Sequence, residues 1–470
     1  MAVRDRVNNV VGSLQATTAW TPALSGVGLI LTTDLLTWSG ITGTNTIITM
    51  GGSINVGGSG GGVSLTSSQT VAVTLNNGSA ATLTLGSSGI SMASANANLT
   101  IGPTAAVALG ANQTWNINSG RTVSVSGVVS GTGTLQKSGA GTATLTGANT
   151  FTNTVTVSVG TFNANSTTAL GAASSTAGIS VTSGATLSLG AALNYSSPGR
   201  TTSISSTGVS TGGALVHAFA GTANVGSISL GAAAYVRGTA SGTSTLSSSI
   251  TNGGFALTVG AASGNTLTLT GGISGLGGLV VGNSSSDTGT VALTTANTYQ
   301  GNTTASFGTL SLGNASALGS VGALVFNGGT LDTSTTLTVA NAITVSAAIT
   351  FTGTAALTLS SAVALDTSRT ITVNGSTLTL SGVVSGATFK LTKAGVGTLK
   401  LTNTNTYSGG SDLGAGTTQA GAVQALGSTG TVTLTTSGAT LQTLTASSQN
   451  GKLTAAALNN AAGGIIKIGG

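Results

Sequence analysis

The chain has 470 residues, of which six are acidic and twelve are Lys or Arg, so that charged residues make up only 4% and the formal net charge is +6. Cysteine is absent, which excludes disulfides and thiolate metal sites. Glycine contributes 75 residues and hydrophobic residues 39%, and the shortage of strong helix formers favours β-structure with a core over helices or disorder.

The distribution of residues disfavours two further classes of protein. The basic residues are scattered from Arg4 to Lys467 and aromatic residues make up 3%, whereas nucleic-acid binders concentrate both on one surface. No apolar run reaches the ~18 residues needed to span a bilayer. The sequence therefore predicts no nucleic-acid partner and no transmembrane segment. The first residues also lack the apolar region of a signal peptide, so we expect export after removal of a signal or by another route.

Residues 1–16 differ in pattern from the rest of the chain. Val3, Val7, Val10, Val11 and Leu14 recur there with helical spacing. We predict a short amphipathic helix that caps one end of the structure, because the last coil of a solenoid otherwise exposes unpaired backbone groups. The alternative is a frayed, solvated terminus.

Three segments further along the chain share one skeleton, with landmarks at 127–171, 272–319 and 382–427. In each, Gly-Thr is followed eight residues after the Gly by Asn-Thr-Phe or Asn-Thr-Tyr, and then by Ala-Leu-Gly at a fixed offset. Units that bury a core only when they are stacked are typical of solenoids. The landmark residues are Asn149, Phe151 and Leu170 in the first copy, Asn297, Tyr299 and Leu318 in the second, and Asn405, Tyr407 and Leu426 in the third.

A strict alternation runs from Leu337 to Leu365, where every odd position is apolar, small or Asn. A period of two indicates a strand with one buried face, but this run far exceeds an ordinary strand of about 5–6 residues. We interpret it as several short strands joined by corners that keep the phase. The same alternation covers 143–159, and a phase slip between Phe307 and Leu310 predicts a turn or bulge. Because Asn-Gly pairs also form antiparallel hairpins, a two-layer sandwich is the competing fold.

The first and third copies carry a family resemblance. Residues 131–142 read Gly-Thr-Gly-Thr-Leu-Gln-Lys-Ser-Gly-Ala-Gly-Thr, and residues 393–399 read Lys-Ala-Gly-Val-Gly-Thr-Leu. This pattern resembles the autotransporter-associated β-strand repeat of bacterial surface proteins. The second copy departs from it, with Val281-Gly282-Asn283 where Lys-x-Gly would stand. The resemblance implies a right-handed parallel β-helix that is exported to the cell surface; the membrane-inserted barrel common in that family is not expected in this chain.

The residues available for catalysis are few. The six aspartates are spread singly, whereas polysaccharide lyases and hydrolases need neighbouring carboxylates. His217 is the only histidine and lies in an apolar strand, where a structural role is expected. We therefore expect no enzyme, no catalytic residue, no cofactor and no metal. The aromatic landmarks are predicted to stack in the core. For the inward-phase asparagines a hydrogen-bonded ladder and a left-handed turn are equally open; they are Asn149, Asn297, Asn341 and Asn405.

Together these observations predict an all-β protein with a capping segment at 1–16 and a continuous right-handed parallel β-helix over 17–470. About twenty coils of roughly 20–25 residues would form a rod on the order of 100 Å long. We expect an extracellular or cell-surface bacterial protein that self-assembles end to end, and laterally, because its surface is hydroxyl-rich and nearly uncharged. The alternatives are a monomeric passenger-type adhesin for a cell-surface carbohydrate or protein and, more distantly, a polysaccharide lyase or hydrolase.

Overall fold

The computed structural model describes residues 3–6, 35–38, 46–50, 53–77, 81–182, 184–196, 199–443 and 458–468. The chain divides into two compact units. Unit 1 consists of Met1–Ala240 and Ser244–Ser249, and unit 2 consists of Ser241–Thr243 and Ile250–Gly470. Each unit is a parallel β-solenoid, and the two together contain about 17 turns.

Unit 1 is built from three parallel sheets, of which sheets 1a and 1b run through the unit and sheet 1c receives strands only from the coils that end at residue 131 or before. Sheet 1a contains Val3–Arg6, Leu35–Trp38, Gly62–Leu65, Gly89–Met92, Gln113–Ile117, Leu135–Ser138, Val155–Val157, Ile179–Val181, Thr201–Ile204 and Ser227–Leu230. Sheet 1b contains Thr46–Met50, Val73–Asn77, Leu99–Ile101, Thr122–Val125, Thr142–Leu145, Gly160–Ala164, Ala185–Leu189, Leu215–His217 and Ala234–Gly238. Sheet 1c contains Ile54–Val56, Ala81–Leu85, Ala105–Leu109 and Val129–Gly131. In addition, Gly221–Ala223 pairs with residues 244–246 of the strand Gly242–Leu246.

Unit 2 also has three main parallel sheets, together with the strand pair Ile250–Thr251 and Ile273–Ser274. Sheet 2a contains Leu257–Ala261, Leu279–Val281, Thr303–Ala305, Leu324–Phe326, Ile343–Val345, Val363–Leu365 and Val384–Ser385. Sheet 2b contains Asn265–Leu269, Thr290–Leu293, Thr309–Leu312, Thr330–Thr333, Ile349–Phe351, Arg369–Val373, Leu391–Ala394, Ser411–Leu413, Val432–Leu434 and Leu458–Asn459. Sheet 2c contains Leu337–Val339, Leu357–Leu359, Thr377–Leu380, Thr398–Leu401, Gly416–Ala420, Ala439–Thr443 and Ile465–Ile468.

The parallel register decides between the two folds that the sequence left open. Leu135 pairs with Val155 and Val155 with Ile179, so one turn takes 20 residues in the first case and 24 in the second. A hairpin sandwich would require antiparallel neighbours, whereas the strand pairings described here are parallel. The prediction of a parallel β-solenoid is therefore confirmed.

The long alternation between residues 337 and 365 corresponds to five short strands rather than one. They are Leu337–Val339, Ile343–Val345, Ile349–Phe351, Leu357–Leu359 and Val363–Leu365. Within them most apolar residues of the odd phase are buried, and the intervening Thr and Ala residues face outwards. The interpretation of several strands with phase-preserving corners is confirmed.

The corners account for the exceptions to the alternation. Val159 ends the run 143–159 that the sequence predicted to point inwards, but it is 42% exposed. Gly160 follows it with a φ of 74°, a left-handed conformation that turns the chain and resets the phase. In the second copy Phe307 is 40% exposed and Gly308 has a φ of 65°. The predicted turn between Phe307 and Leu310 is thus confirmed at the equivalent corner.

At the N-terminus Val3–Arg6 forms a strand that pairs in parallel with Leu35–Trp38. This part of the predicted capping helix is therefore wrong, because pairing with the next coil outweighs the weak helical pattern of four residues. Residues 7–16 lie outside the described residues. Where the structure is described, helical structure is limited to a 3-10 turn at Val209–Thr211, and no helix has the length and apolarity to cross a membrane.

Candidate functional site: the stacked repeat and its surfaces

A buried asparagine joins three successive coils in the first copy of the repeat. Asn149 is 1% exposed. Its Oδ1 accepts a hydrogen bond from the backbone N–H of Val129 at 2.8 Å, and its Nδ2 donates to the carbonyl oxygen of Ala169 at 3.0 Å. Val129 and Ala169 lie 20 residues before and after Asn149. The side chain therefore replaces backbone pairing at a corner where the ladders of the sheets are interrupted.

The other two copies repeat this bridge with the same atoms. The Oδ1 atoms accept from the N–H groups of Ile273 and Val384, at 2.8 and 2.7 Å, and the Nδ2 atoms donate to the carbonyls of Ala317 and Ala425, at 2.6 and 2.5 Å. Neither Asn297 nor Asn405 has a positive φ. Of the two roles left open for the three landmark asparagines, these contacts correspond to the hydrogen-bonded ladder. Asn341 differs, since it is half-exposed and donates to the carbonyls of Leu318 and Gly322.

The aromatic residues two positions later are completely buried. Phe151, Tyr299 and Tyr407 are each 0% exposed, so these rings are core residues and present no face to a sugar. The two tyrosines need a hydrogen-bond partner in the core. Tyr299 pairs with the hydroxyl of Thr303 at 2.5 Å and Tyr407 with that of Ser411 at 2.7 Å, four residues further on. Where the aromatic residue is Phe151, the residue four positions later is Val155.

The Ala-Leu-Gly segment closes the repeat against this aromatic ring. The leucines are buried at 1% exposure or less and are Leu170, Leu318 and Leu426. Gly171, Gly319 and Gly427 have φ values of 97°, 77° and 92°. A Cβ on Gly171 would lie 2.9 Å from ring carbons of Phe151, closer than van der Waals contact. Glycine is therefore required both by the left-handed backbone and by the close approach of the ring.

Three segments match the family model of the passenger-associated transport repeat. The matched residues are 135–164, 286–312 and 391–420. The predicted resemblance to autotransporter passenger repeats is confirmed, and passenger repeats on a β-solenoid fit a secreted or cell-surface bacterial protein of the passenger type. Neither the curated proteins nor the solved structures contain a significant match to the chain. The folded unit extends past the matched segments, because Ala169, the partner of Asn149, lies beyond residue 164.

Two of the passenger repeats hold a lysine inside the solenoid. Lys137 is 0% exposed, and its Nζ donates to the carbonyls of Ser138, Gly139 and Val159 at 3.0, 2.7 and 3.0 Å. Lys393 makes the same three contacts in the third copy, with Ala394, Gly395 and Ala415. Three acceptors match the three N–H donors of an ammonium group. Burial lowers the pKa of each lysine to about 8, so both are predominantly charged at neutral pH.

The second passenger repeat has a different corner. Val281 occupies the strand position of Lys137, since Val281 pairs with Ala305 as Lys137 pairs with Val157. The loop that follows is longer, and the buried carboxylate of Asp287 accepts from the N–H of Asn283 at 2.8 Å. The departure noted in the sequence is therefore a real change of structure, in which a loop replaces the lysine that caps the carbonyls.

An aromatic–cation pair supports the first Ala-Leu-Gly segment from the next coil, and sequence patterns did not indicate it. Tyr195 Oη accepts from the N–H of Leu170 at 2.9 Å and donates to the carbonyl of Gly171 at 3.1 Å. Arg200 lies over the Tyr195 ring, 4.0 Å from its centroid, and donates to the carbonyl of Leu170. Burial raises the pKa of Tyr195 to about 12, so its hydroxyl stays protonated. The only sequence signal was an Arg within a nearly uncharged region.

His217 has the structural surroundings that the sequence predicted. It is 1% exposed and stacks on Phe219 with the ring centroids 4.6 Å apart. Its Nδ1 lies 3.0 Å from the carbonyl of Phe219 and its Nε2 3.1 Å from that of Thr245. Burial lowers the pKa of this imidazole, and the two carbonyls oppose that shift. Each ring nitrogen thus faces a backbone carbonyl, and the neutral imidazole donates its one N–H to one of them.

The described carboxylates have separate partners. Asp332 accepts from Ser311, Asp366 pairs with Arg369 at 2.6 Å, and Asp412 pairs with Lys390 at 2.9 Å. Among the described residues no three His, Cys, Asp or Glu side chains come together. Each of these three carboxylates is thus engaged in a structural contact.

A surface groove of about 560 Å³ lies in unit 2 beside the second passenger repeat. Three successive coils form its walls, and its lining includes Thr298, Ser316, Ser320, Val321 and Asn341, with alanines between them and without a charged residue. Val321 is 70% exposed. The groove suits an uncharged group that offers both hydroxyls and apolar carbon.

Proposed function

We propose that this protein is a structural subunit of a bacterial surface filament or layer, formed when copies of the chain associate end to end. The observation that carries the proposal is the passenger repeat itself, three copies of which build parallel coils joined by backbone ladders and buried asparagines. A coil contributed by a second copy extends such a ladder by strand addition.

The outer surface supports close association of copies. In sheet 2b six successive coils place a half-exposed threonine at the same register position. A hydroxyl-rich face with almost no charge lacks the repulsion that keeps proteins apart in solution. The residues of this column are Thr266, Thr290, Thr309, Thr330, Thr350 and Thr372.

Electron microscopy and light scattering of the purified protein, without added ligand, test the proposal. We expect filaments or sheets whose mass grows with protein concentration and changes little with salt, since few charges take part. The double variant Thr309→Lys/Thr350→Lys places two like charges on one face, and we expect it to abolish lateral bundling while filaments remain. Particles with the mass of one chain at every concentration would overturn self-association.

The groove beside the second passenger repeat favours a second candidate, a monomeric adhesin for a neutral carbohydrate. Sites for small ligands are concave and combine apolar walls with a few polar groups. Binding of neutral oligosaccharides that is lost in Val321→Arg and Asn341→Leu, in a protein that stays monomeric, would favour adhesion over assembly. Turnover of a polysaccharide that is lost on changing Asp287, Asp332 or Asp366 to Asn would instead reveal an enzyme.

A further inference from the structure

The outer face of sheet 2c carries a column of polar side chains that the repeat pattern does not explain. Lys400 pairs in register with Gln419, Gln419 with Gln442, and Gln442 with Lys467. The residues that alternate with the first three, Leu399, Thr418 and Leu441, are buried at 1% exposure or less. The column therefore faces outwards, and threonines of the same strands form a parallel column beside it, namely Thr398, Thr417 and Thr440.

The two glutamines give this column a direction. Gln419 Nε2 donates to Gln442 Oε1 at 3.1 Å. In that bond Gln442 accepts through Oε1, and its Nε2 remains a donor. The next group in the column is the ammonium of Lys467, which has only donors. Gln442 and Lys467 thus offer donors side by side, the arrangement that an anionic oxygen completes.

The charges of unit 2 are distributed unevenly between its sheets. The described aspartates lie on strands of sheet 2b or in the segments that lead into them: Asp287, Asp332, Asp366 and Asp412. The described strands of sheet 2c contain no acid. Lys390, on the sheet 2b side, is neutralised by Asp412 at 2.9 Å. The face of sheet 2c is consequently positive without internal compensation.

We propose that the outer face of sheet 2c binds a linear polysaccharide with carboxylate groups, which Lys400 and the Gln442–Lys467 pair hold while the threonine column bonds sugar hydroxyls. Three ladder steps of ~4.8 Å separate the two lysines, a span of about 14 Å along the column. An extended chain with regularly spaced carboxylates meets both lysines at once, whereas a single small anion meets only one. This partner is independent of the proposed self-assembly.

Titration of the full chain with polygalacturonate tests the proposal, with dextran as the neutral probe. We expect polygalacturonate to bind, to weaken steeply with salt, and to weaken about tenfold in each of Lys400→Gln and Lys467→Gln. Glutamine is the residue that the chain itself places at the two intervening positions, so these variants retain the column. Lys390→Gln is the matched control, since it removes an equal charge from the sheet 2b side, and we expect unchanged binding.

Each other outcome contradicts the proposal. Equal loss in Lys390→Gln and Lys400→Gln would mean that net charge alone attracts the polymer. Equal binding of dextran would remove the role of the carboxylates, and tighter binding of a single-stranded oligothymidylate would identify a nucleic acid as the better partner. Variants with an unchanged thermal unfolding midpoint and unchanged binding would place the site elsewhere. The assembly proposal is tested separately by electron microscopy of the same lysine variants. Filaments that form in every variant and at every salt concentration would support assembly whatever the result of the binding titration.

Discussion

Replacement of the bridging Asn149 by aspartate makes one of its two hydrogen bonds depend on pH and leaves the other in place. In Asn149→Asp one carboxyl oxygen still accepts from the N–H of Val129, but the other then faces the carbonyl oxygen of Ala169, which Asn149 Nδ2 contacts at 3.0 Å. Only the protonated acid donates to that carbonyl. We therefore expect the folded-state pKa of the new residue to lie far above the ~3.9 of a free Asp.

The expected loss of stability at pH 7 follows from the free energy needed to keep this carboxyl group protonated. Keeping an acid of pKa ~3.9 protonated at pH 7 costs about 1.4 kcal/mol per pH unit, or about 4 kcal/mol. A raised pKa gives stability that is complete below the unfolded-state value and is lost as pH rises. Asn149→Asp should thus be close to wild type near pH 4 and about 4 kcal/mol less stable at pH 7. Asn149→Ala leaves two buried groups unpaired and should lose about 2–6 kcal/mol at both pH values.

Urea unfolding followed by circular dichroism, at pH 4 and pH 7, measures these differences, and hydrogen exchange at the Val129 amide reports local opening of the coil. Asn163→Asp is the control, because Asn163 lies half-exposed in the same unit and its Nδ2 donates to the hydroxyl of Thr144 at 3.3 Å. We expect this substitution to change the free energy of unfolding little at either pH. If Asn149→Asp and Asn149→Ala lose the same stability at both pH values, the bridge does not act through the donor that the structure assigns.

Three further predictions concern the other parts of the repeat. Tyr299→Phe should cost about 1–2 kcal/mol by leaving Thr303 unpaired, and adding Thr303→Val should recover part of this loss, which a double-mutant cycle in urea would measure. Gly319→Ala should destabilise more than Gly264→Ala, since both have φ near 75° but only Gly319 approaches a ring; equal melting temperatures would refute the role of ring contact. Burial lowers the pKa of Lys137 to about 8, so between pH 8 and pH 10.5 the unfolded chain binds more protons than the folded chain. The free energy of unfolding should therefore rise with pH in this range, and it should rise less steeply in Lys137→Met.

Sequence periodicity predicted most of the solenoid because the solenoid rests on a local rule. Successive side chains of each strand point alternately into the core and towards solvent. The sequence shows this directly, because Val and Leu mostly occupy the inward positions and Thr mostly the outward ones. Left-handed glycines at the corners reset the phase where it slipped, as at Gly160. The N-terminal strand Val3–Arg6 was missed because four residues carry too little pattern to compete with a helical spacing spread over sixteen.

The polar interior was predicted only in part, because it depends on contacts between coils. Lys137 shares the inward phase of Leu135, which was a usable signal that it is buried. Its three carbonyl partners, however, come from its own corner and from Val159 one turn later. The Arg200–Tyr195 pair supports Leu170 from a distance of 25 to 30 residues. Such partners can be identified only when the number of residues in each coil is known. The local spacing of residues in the sequence does not specify that number.

Comparison of the three copies shows which parts of the repeat the fold depends on most. The corner lysine is replaced by a loop at Asp287, and the Tyr–Thr pair of the second copy is an apolar Phe–Val pair in the first. The exchange of the Tyr–Thr pair leaves no hydroxyl without its partner, since both hydroxyls disappear together. The bridging asparagine keeps the same two bonds in every copy. No apolar residue satisfies an N–H below and a carbonyl above at the same time, so coil-to-coil stacking fixes this position, whereas the corner lysine and the Tyr–Thr pair vary.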